Sequence, residues 1–322
     1  MEKIRRPIAA ALLVMLVASI SGCGGGIPIV SEGKTGHGYT DGQNMLIVAT
    51  ERNRYQKVYS DQIWQVQVDD DGRTFQDYLL REIQGFLKEL QTMNLLADER
   101  EISLSADQTE KLNELTDAFY ASLTESDLAY TGVSREEVYG LYEAYCRANC
   151  LVDEVTQDVN LEISDSEAKV ITVQEIVVCD ADTAQAAYEQ AAAEKADFEA
   201  VAKNLSEEKE ITKSVGRGES PECYEKEVFA LESGQVSPVF QVEDRFYVVK
   251  CVDDYDEEAT LNRKEKLALQ RKNQAFRGIY ETFAAEHPVE IGGAFWDKIS
   301  FSAGEASTTA NFFALYQEYM NP

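Results

Sequence analysis

The chain has 322 residues, with 58 Asp or Glu against 30 Lys or Arg and a formal net charge of −28 at pH 7. That balance excludes a nucleic-acid-binding protein, which needs a basic face, and a body that lies flat on anionic lipid. The two histidines, His37 and His287, stand alone, and there is no CxxC pair, phosphate-binding loop or hydrolytic triad, so no metal site and no cofactor are expected.

Met1-Glu-Lys-Ile-Arg-Arg6 is a short basic region, residues 8–20 are thirteen mostly apolar positions, and Ile20-Ser-Gly-Cys23 follows. The order is that of a secretory signal ending in a lipobox, where a small residue precedes a Cys that is diacylated and becomes the first residue of the mature chain. The apolar run is too short to span a bilayer, which takes about 20 residues. A lipoprotein signal peptide over 1–22 and lipidation at Cys23 are therefore expected, and a diacylglyceryl group supplies the two chains that stable anchoring needs. The body would sit on the extracytoplasmic face of a bacterial cell membrane. Loss of residues 1–22 leaves 27 Lys or Arg and 57 Asp or Glu, a net charge near −30. Such a body would attract basic unfolded segments; an acidic composition that serves solubility is the other reading. Residues 23–45, rich in Gly, Ser and Thr as far as Gly42, read as a flexible tether.

Residues 46–165 read as mainly helical. Ile63-Trp-Gln-Val-Gln-Val68 alternates like a strand and Asp69-Asp-Asp-Gly72 turns. Thr74 with Asp77 three residues on is an approximate capping box for a helix carrying Leu79, Leu80, Ile83, Phe86, Leu87 and Leu90. A second helix is expected over 106–123. A third follows Ser134 and holds Val138, Leu141, Tyr142, Tyr145 and Leu151. Tyr120, Tyr139, Tyr142 and Tyr145 could line a groove for apolar segments or simply pack.

Residues 166–256 change character. Ile171-Thr-Val-Gln-Glu-Ile-Val-Val-Cys179 is a β-branched run that reads as a strand. Asp180 and Asp197 are helix starts followed by apolar stripes, Ala184, Ala187 and Ala191 in one and Ala200, Val201 and Leu205 in the other. Gly216-Arg-Gly-Glu219 suits a tight turn, 227–231 a short helix stopped by Ser233-Gly234, and Phe246-Tyr-Val-Val-Lys250 a strand to pair with the first. The order of these segments, with the Phe229-Ala-Leu231 and Gly234-Gln-Val-Ser-Pro-Val239 runs, resembles the parvulin-type (PpiC) peptidyl-prolyl isomerase domain. The implied fold is α+β, a small antiparallel sheet flanked by helices.

The resemblance also assigns site positions. Where parvulins place a His in the first strand and another in the last, this chain has Glu175 and Tyr247. The acidic or Cys position after the second helix falls at Glu207, and the Asp before the Gly turn corresponds to Ser214. The Met and Phe of the proline pocket correspond to Ser220 and Tyr224, and Phe229 matches a core aromatic near the same pocket. A Glu175–Tyr247 hydrogen bond could occupy the place of the paired histidines; the other reading is that both residues are structural or that Glu175 is simply solvated.

A long helix is expected over 257–287, ended by Pro288, with Arg263, Lys264, Lys266, Arg271, Lys272 and Arg277 giving it a basic character. The aromatic tail, 295–322, is too apolar for disorder and should dock as a short strand and a last helix. A helical region ahead of a parvulin-like segment resembles extracytoplasmic foldases of the SurA and PrsA kind. In these a C-terminal helix returns to the N-terminal helices, so the 257–322 segment would complete one chaperone-like domain into which the isomerase-like domain is inserted; the basic helix would then meet acidic N-terminal helices. Packing of that helix on the parvulin-like domain itself is the alternative. Beyond Cys23, Cys146, Cys150, Cys179, Cys223 and Cys251 form an odd set and are expected as free thiols. The expected function is a lipid-anchored foldase acting on unfolded or partly folded secreted polypeptides, with a parvulin-like peptidyl-prolyl isomerase domain whose usual histidines are replaced, so that the resemblance leaves its activity open. Two alternatives stand beside it: a non-catalytic holdase with a vestigial isomerase domain, and a solute-binding or scaffolding envelope lipoprotein.

Overall fold

Residues 38–320 are described by a computed structural model. The expected signal peptide, Cys23 and most of the expected tether lie outside them. The chain divides into two compact units: one takes the described residues up to Asp158 together with those from Gln274 onward, and the other is Val159–Asn273. The isomerase-like segment is thus an insertion in a helical unit drawn from both ends of the chain, the arrangement expected of the α+β fold class.

The helical unit contains α1 (Asp41–Tyr59), α2 (Phe75–Glu99), α3 (Ala106–Ser122), α4 (Glu125–Thr131) and α5 (Arg135–Thr156). Each begins with a reciprocal capping box, at Thr40, Thr74, Ser105, Thr124 and Ser134. In each, the hydroxyl accepts from the backbone three residues on, and that residue's side chain accepts from the cap's own N–H. Helix α1 begins at Asp41, inside the stretch expected as tether. It is buried on several sides, so its polar residues find partners rather than water: Arg52 donates to the Phe301 carbonyl at 2.7 Å, and Asn53 donates to Ser307 Oγ at 3.1 Å and to the Thr309 carbonyl at 2.9 Å. The alternating run 63–68 is not a strand. Residues Asp61–Gln65 form a 3-10 turn that buries the adjacent Ile63 and Trp64 together, which an alternating strand could not do, and only Gln67 bridges to Thr74.

The tail docks on this unit. Helix α11 (Phe312–Met320) packs on α3, following α10 (Glu257–Glu286) and two 3-10 turns, Trp296–Lys298 and Phe301–Gly304. Among its described residues the tail forms no strand. Phe312 stacks on Tyr142 at 4.1 Å with ring planes 1° apart, and the Tyr142 hydroxyl donates to the Phe312 carbonyl at 3.0 Å. Tyr142 and Tyr145 are therefore core residues.

The inserted unit has one turn of helix, α6 (Asp165–Ala168), ahead of a four-stranded antiparallel sheet of order β2-β1-β4-β3, with β1 (Val170–Val178), β2 (Thr212–Gly216), β3 (Phe240–Val242) and β4 (Arg245–Asp253). Strand β1 is buried along most of its length because both of its faces are covered. Ile176 and Val178, with Val248, face α7 (Ala181–Ala191) and α8 (Phe198–Leu205). Ile171 and Val173, with Val249, face α9 (Glu222–Val228). Helix α9 starts earlier than the composition of 227–231 suggests, because Pro221 at its cap and Glu222 open it. The Gly234–Ser237 run lies along β4: Gly234 donates to the Cys251 carbonyl and Ser237 to the Val249 carbonyl, both at 2.8 Å.

Three basic residues of α10 that precede Gln274 pair within the inserted unit. Arg263 meets Glu219 at 3.1 Å, Lys264 meets Asp165, and Arg271 meets Glu167 at 2.5 Å. Arg277 pairs with Glu281 on its own helix at 2.9 Å. Arg277 also lies close enough to Glu89 of α2 to lower its carboxyl against the effect of burial, so the expected meeting with the acidic N-terminal helices is made there, while Arg263, Lys264 and Arg271 answer the inserted unit. The five cysteines beyond Cys23 are free.

Candidate active site

The face of the sheet toward α9 carries a cleft of about 450 Å³ whose lining includes Glu175, Lys213, Ser214, Ser220, Tyr224, Arg245 and Tyr247. Period-two alternation places the first of these: Glu175 follows Ile171 and Val173 on one face of β1. The β1–β4 register sets Glu175 opposite Val249 and Val177 opposite Tyr247. Glu175 and Tyr247 are therefore diagonal neighbours on one face rather than a facing pair. On the other side β2 sets Lys213 opposite Val173, again diagonal to Glu175.

Glu175 is 3% exposed, and two groups compensate its burial. The Tyr224 hydroxyl donates to Oε1, and Lys213 Nζ lies 2.7 Å from Oε2. The hydrogen bond expected from Tyr247 is thus made by Tyr224. A carboxylate at 3% exposure without such partners would cost several kcal/mol, so the triad of Glu175, Tyr224 and Lys213 is a structural requirement as well as a cleft floor. Burial raises the Tyr224 phenol well above its ordinary range, and Glu175 raises it further. Burial and then Glu175 raise Tyr247. For Lys213, burial works against the charge, but the Glu175 carboxylate outweighs it and the ammonium is raised. Both tyrosines remain protonated and Lys213 remains cationic at neutral pH. The floor thus presents fixed donors and aromatic faces.

The walls are aromatic. Tyr224 meets Tyr247 edge-on at 5.7 Å, and Phe240 stacks on Tyr247 at 5.6 Å. The turn before α9 is pinned by Glu225, whose carboxylate accepts from the Gly218 N–H at 2.6 Å and the Ser220 N–H at 3.0 Å, with Gly218 at φ +84. Ser220 and Ser214 line the cleft.

Two expected site positions lie elsewhere. Glu207 closes the end of β1, accepting from the Cys179 N–H and thiol at 3.1 Å and from Arg245 at 2.8 Å. The Cys179 contacts, aided by Arg245, hold the Glu207 carboxyl below its ordinary value. Phe229 packs against the cluster of Ile171 and Val173 and carries the Arg217 guanidinium 4.4 Å from its ring centre. Lys213 and Arg245 also line the cleft, though nothing in the sequence marks them as site residues. Strand β2 is short and its first residues are exposed, so it carries no periodic signal that would put Lys213 beside Glu175. Among the described residues no group of three His, Cys, Asp or Glu could hold a metal ion, and no helix is long and apolar enough to cross a membrane.

Residues 163–262 match the family described as the PPIC-type PPIASE domain. Among solved structures the chain is similar to foldase protein PrsA from Streptococcus pneumoniae, at 20% identity over 71% of this chain and 96% of that one, with a TM-score of 0.28. It is also similar to the PrsA peptidylprolyl isomerase from Bacillus cereus, at 17% identity over 78% and 97%, TM-score 0.39. PrsA from Bacillus subtilis matches at 16% identity over 70% and 93%, TM-score 0.26. No curated protein matches the chain.

Proposed function

We propose that the chain is a lipid-anchored extracytoplasmic foldase whose PPIC-type domain binds X-Pro segments of secreted polypeptides and accelerates their cis–trans isomerisation. The observation that carries the reading is the cleft on the α9 face of that domain, with a polar floor at Glu175, Tyr224 and Lys213 and aromatic walls at Tyr224 and Tyr247, the latter backed by Phe240. The barrier to isomerisation is roughly 20 kcal/mol and comes from amide resonance. It falls when a site prefers the twisted amide to the planar one, with no covalent step and no cofactor. The aromatic walls suit the apolar prolyl ring, and Tyr224, locked by its bond to Glu175, holds that wall in place. The lipobox-like Ile20-Ser-Gly-Cys23 supports the anchor and the extracytoplasmic face, and the net charge near −30 left after residues 1–22 supports clients with basic segments.

A holdase without isomerase activity is the second reading, favoured by one observation: Glu175 and Tyr247 stand where the resembling family carries histidines. Proline-limited refolding of a model protein separates the two. The purified full chain should accelerate the slow phase, and Glu175→Ala and Tyr224→Ala should abolish the acceleration while the helical unit keeps its fold. Suppressed aggregation with no acceleration would establish the holdase in its place.

A further inference from the structure

We propose that Lys213 is the catalytic hydrogen-bond donor of the cleft, its ammonium directed at the prolyl nitrogen of the bound X-Pro segment. The inference rests on the isomerase reading and names the group that acts there. Lys213 Nζ lies 2.7 Å from Glu175 Oε2, yet its side chain is 38% exposed and lines the cleft, while Glu175 is 3% exposed beneath it. An ammonium carries three N–H donors, and the carboxylate occupies one, so donors remain for a ligand. Glu175 is itself fixed from the other side by the buried Tyr224 hydroxyl. The ammonium is thus held at a defined point above a carboxylate that cannot swing away.

Lys213 is the cation of the cleft whose carboxylate partner also lies in the cleft, and the hydroxyls of Ser214, Ser220 and Tyr247 are neutral. Arg245 is turned to Glu207 at 2.8 Å and to Glu208 at 3.8 Å, and the Tyr224 hydroxyl is used by Glu175. Tyr247 offers a neutral hydroxyl, a weaker donor than a charged N–H. The chemistry favours the cation. In the planar amide the nitrogen lone pair is delocalised and accepts no hydrogen bond; in the twisted amide it is localised and does. A donor placed at that nitrogen interacts with the transition state and not with the ground state, so it raises turnover and leaves substrate affinity nearly unchanged. No bond is made or broken, and the proton stays on Lys213.

The test measures isomerisation of an Ala-Ala-Pro-Phe peptide by the full chain, with kcat and KM separated, for Lys213→Met, Lys213→Arg and the double variant Glu175→Gln with Lys213→Met. The double variant strands no buried charge, and thermal melting checks that each variant folds. Lys213→Met and the double variant should each lose about tenfold or more in kcat with KM within about threefold, while Lys213→Arg keeps kcat within about threefold. Recovery of wild-type kcat in the double variant would show that Lys213 only neutralises Glu175 and would overturn the assignment. So would a Lys213→Met variant as fast as wild type, or a Lys213→Arg variant as slow as Lys213→Met. A wild-type chain without any acceleration overturns the isomerase reading, and this assignment with it.

Discussion

Asp127→Ala tests whether the two ends of the chain form one cooperative unit. Asp127 sits buried at the start of α4, and its Oδ1 accepts from Ser307 Oγ at 2.8 Å, the Thr308 N–H at 2.7 Å and the Thr309 N–H at 2.9 Å. Its Oδ2 accepts from the Thr124 N–H at 2.9 Å and hydroxyl at 2.7 Å. The two hydroxyls can turn to other acceptors once the carboxylate is gone, but the tail N–H groups cannot. Two stranded donors cost about 2–4 kcal/mol. Protonation gives an independent figure. Burial alone would raise Asp127, yet the hydrogen bonds from Thr124, Thr309 and Thr308 lower it from 3.8 to about 2, which corresponds to roughly 2.5 kcal/mol. A depressed carboxyl contributes its full stability above the unfolded value near 3.8 and loses it as pH falls through about 2. Both tryptophans, Trp64 and Trp296, are buried in this unit, so fluorescence-monitored urea unfolding reports on it alone. The variant should lose about 2–4 kcal/mol at pH 7, and the deficit should shrink between pH 4 and pH 2. A loss below about 1 kcal/mol at pH 7, or one that stays constant into acid, would refute the reasoning.

Two further outcomes follow from packing and from thiol environment. At Gly304, an added Cβ would come within 2.5 Å of the Tyr130 ring, a rigid group that also lies under the Arg52 guanidinium. Gly304→Ala should therefore lower stability by about 1–3 kcal/mol, read in the same urea titration, and an unchanged midpoint would contradict it. Maleimide pulse labelling of the native chain with peptide mapping should find Cys223 fast and Cys146 and Cys251 protected by burial. Cys179, exposed but raised by the Glu207 carboxylate, should lag behind Cys223, and equal rates for the two would contradict that contact.

Local signals made much of the architecture legible before any tertiary contact was known. Thr74 with Asp77 announced α2, Ser134 announced α5, Asp180 and Asp197 announced α7 and α8, and the β-branched run announced β1. These are short-range effects: a cap hydroxyl meets an N–H three residues away, and a β-branched side chain restricts its own backbone. The signal failed where neighbours in space decide. Residues 63–68 alternate like a strand but bury Ile63 and Trp64 side by side, because the 3-10 turn packs Trp64 against Phe75 and Phe301. Strand β2 has too few apolar residues to declare itself and exists because β1 offers it an edge.

The same division runs through the site. That Glu175, Ser214, Ser220, Tyr224 and Tyr247 belong to one cleft was readable from segment order, since a resemblance in order carries a resemblance in sheet topology. Which of them touch was not. A cross-strand register is a relation between distant stretches of chain, and a slip of two residues keeps every side chain on its face while changing every partner. The register moved Tyr247 to a diagonal position, handed the hydrogen bond on Glu175 to Tyr224, and brought in Lys213 from a strand with no periodic signal. Chain composition settled the acidity, the segment types and the helix starts, because these depend on residues a few positions apart; partner choice at the buried carboxylate waited for the tertiary fold, because only the fold sets which distant donors lie within 3 Å of it.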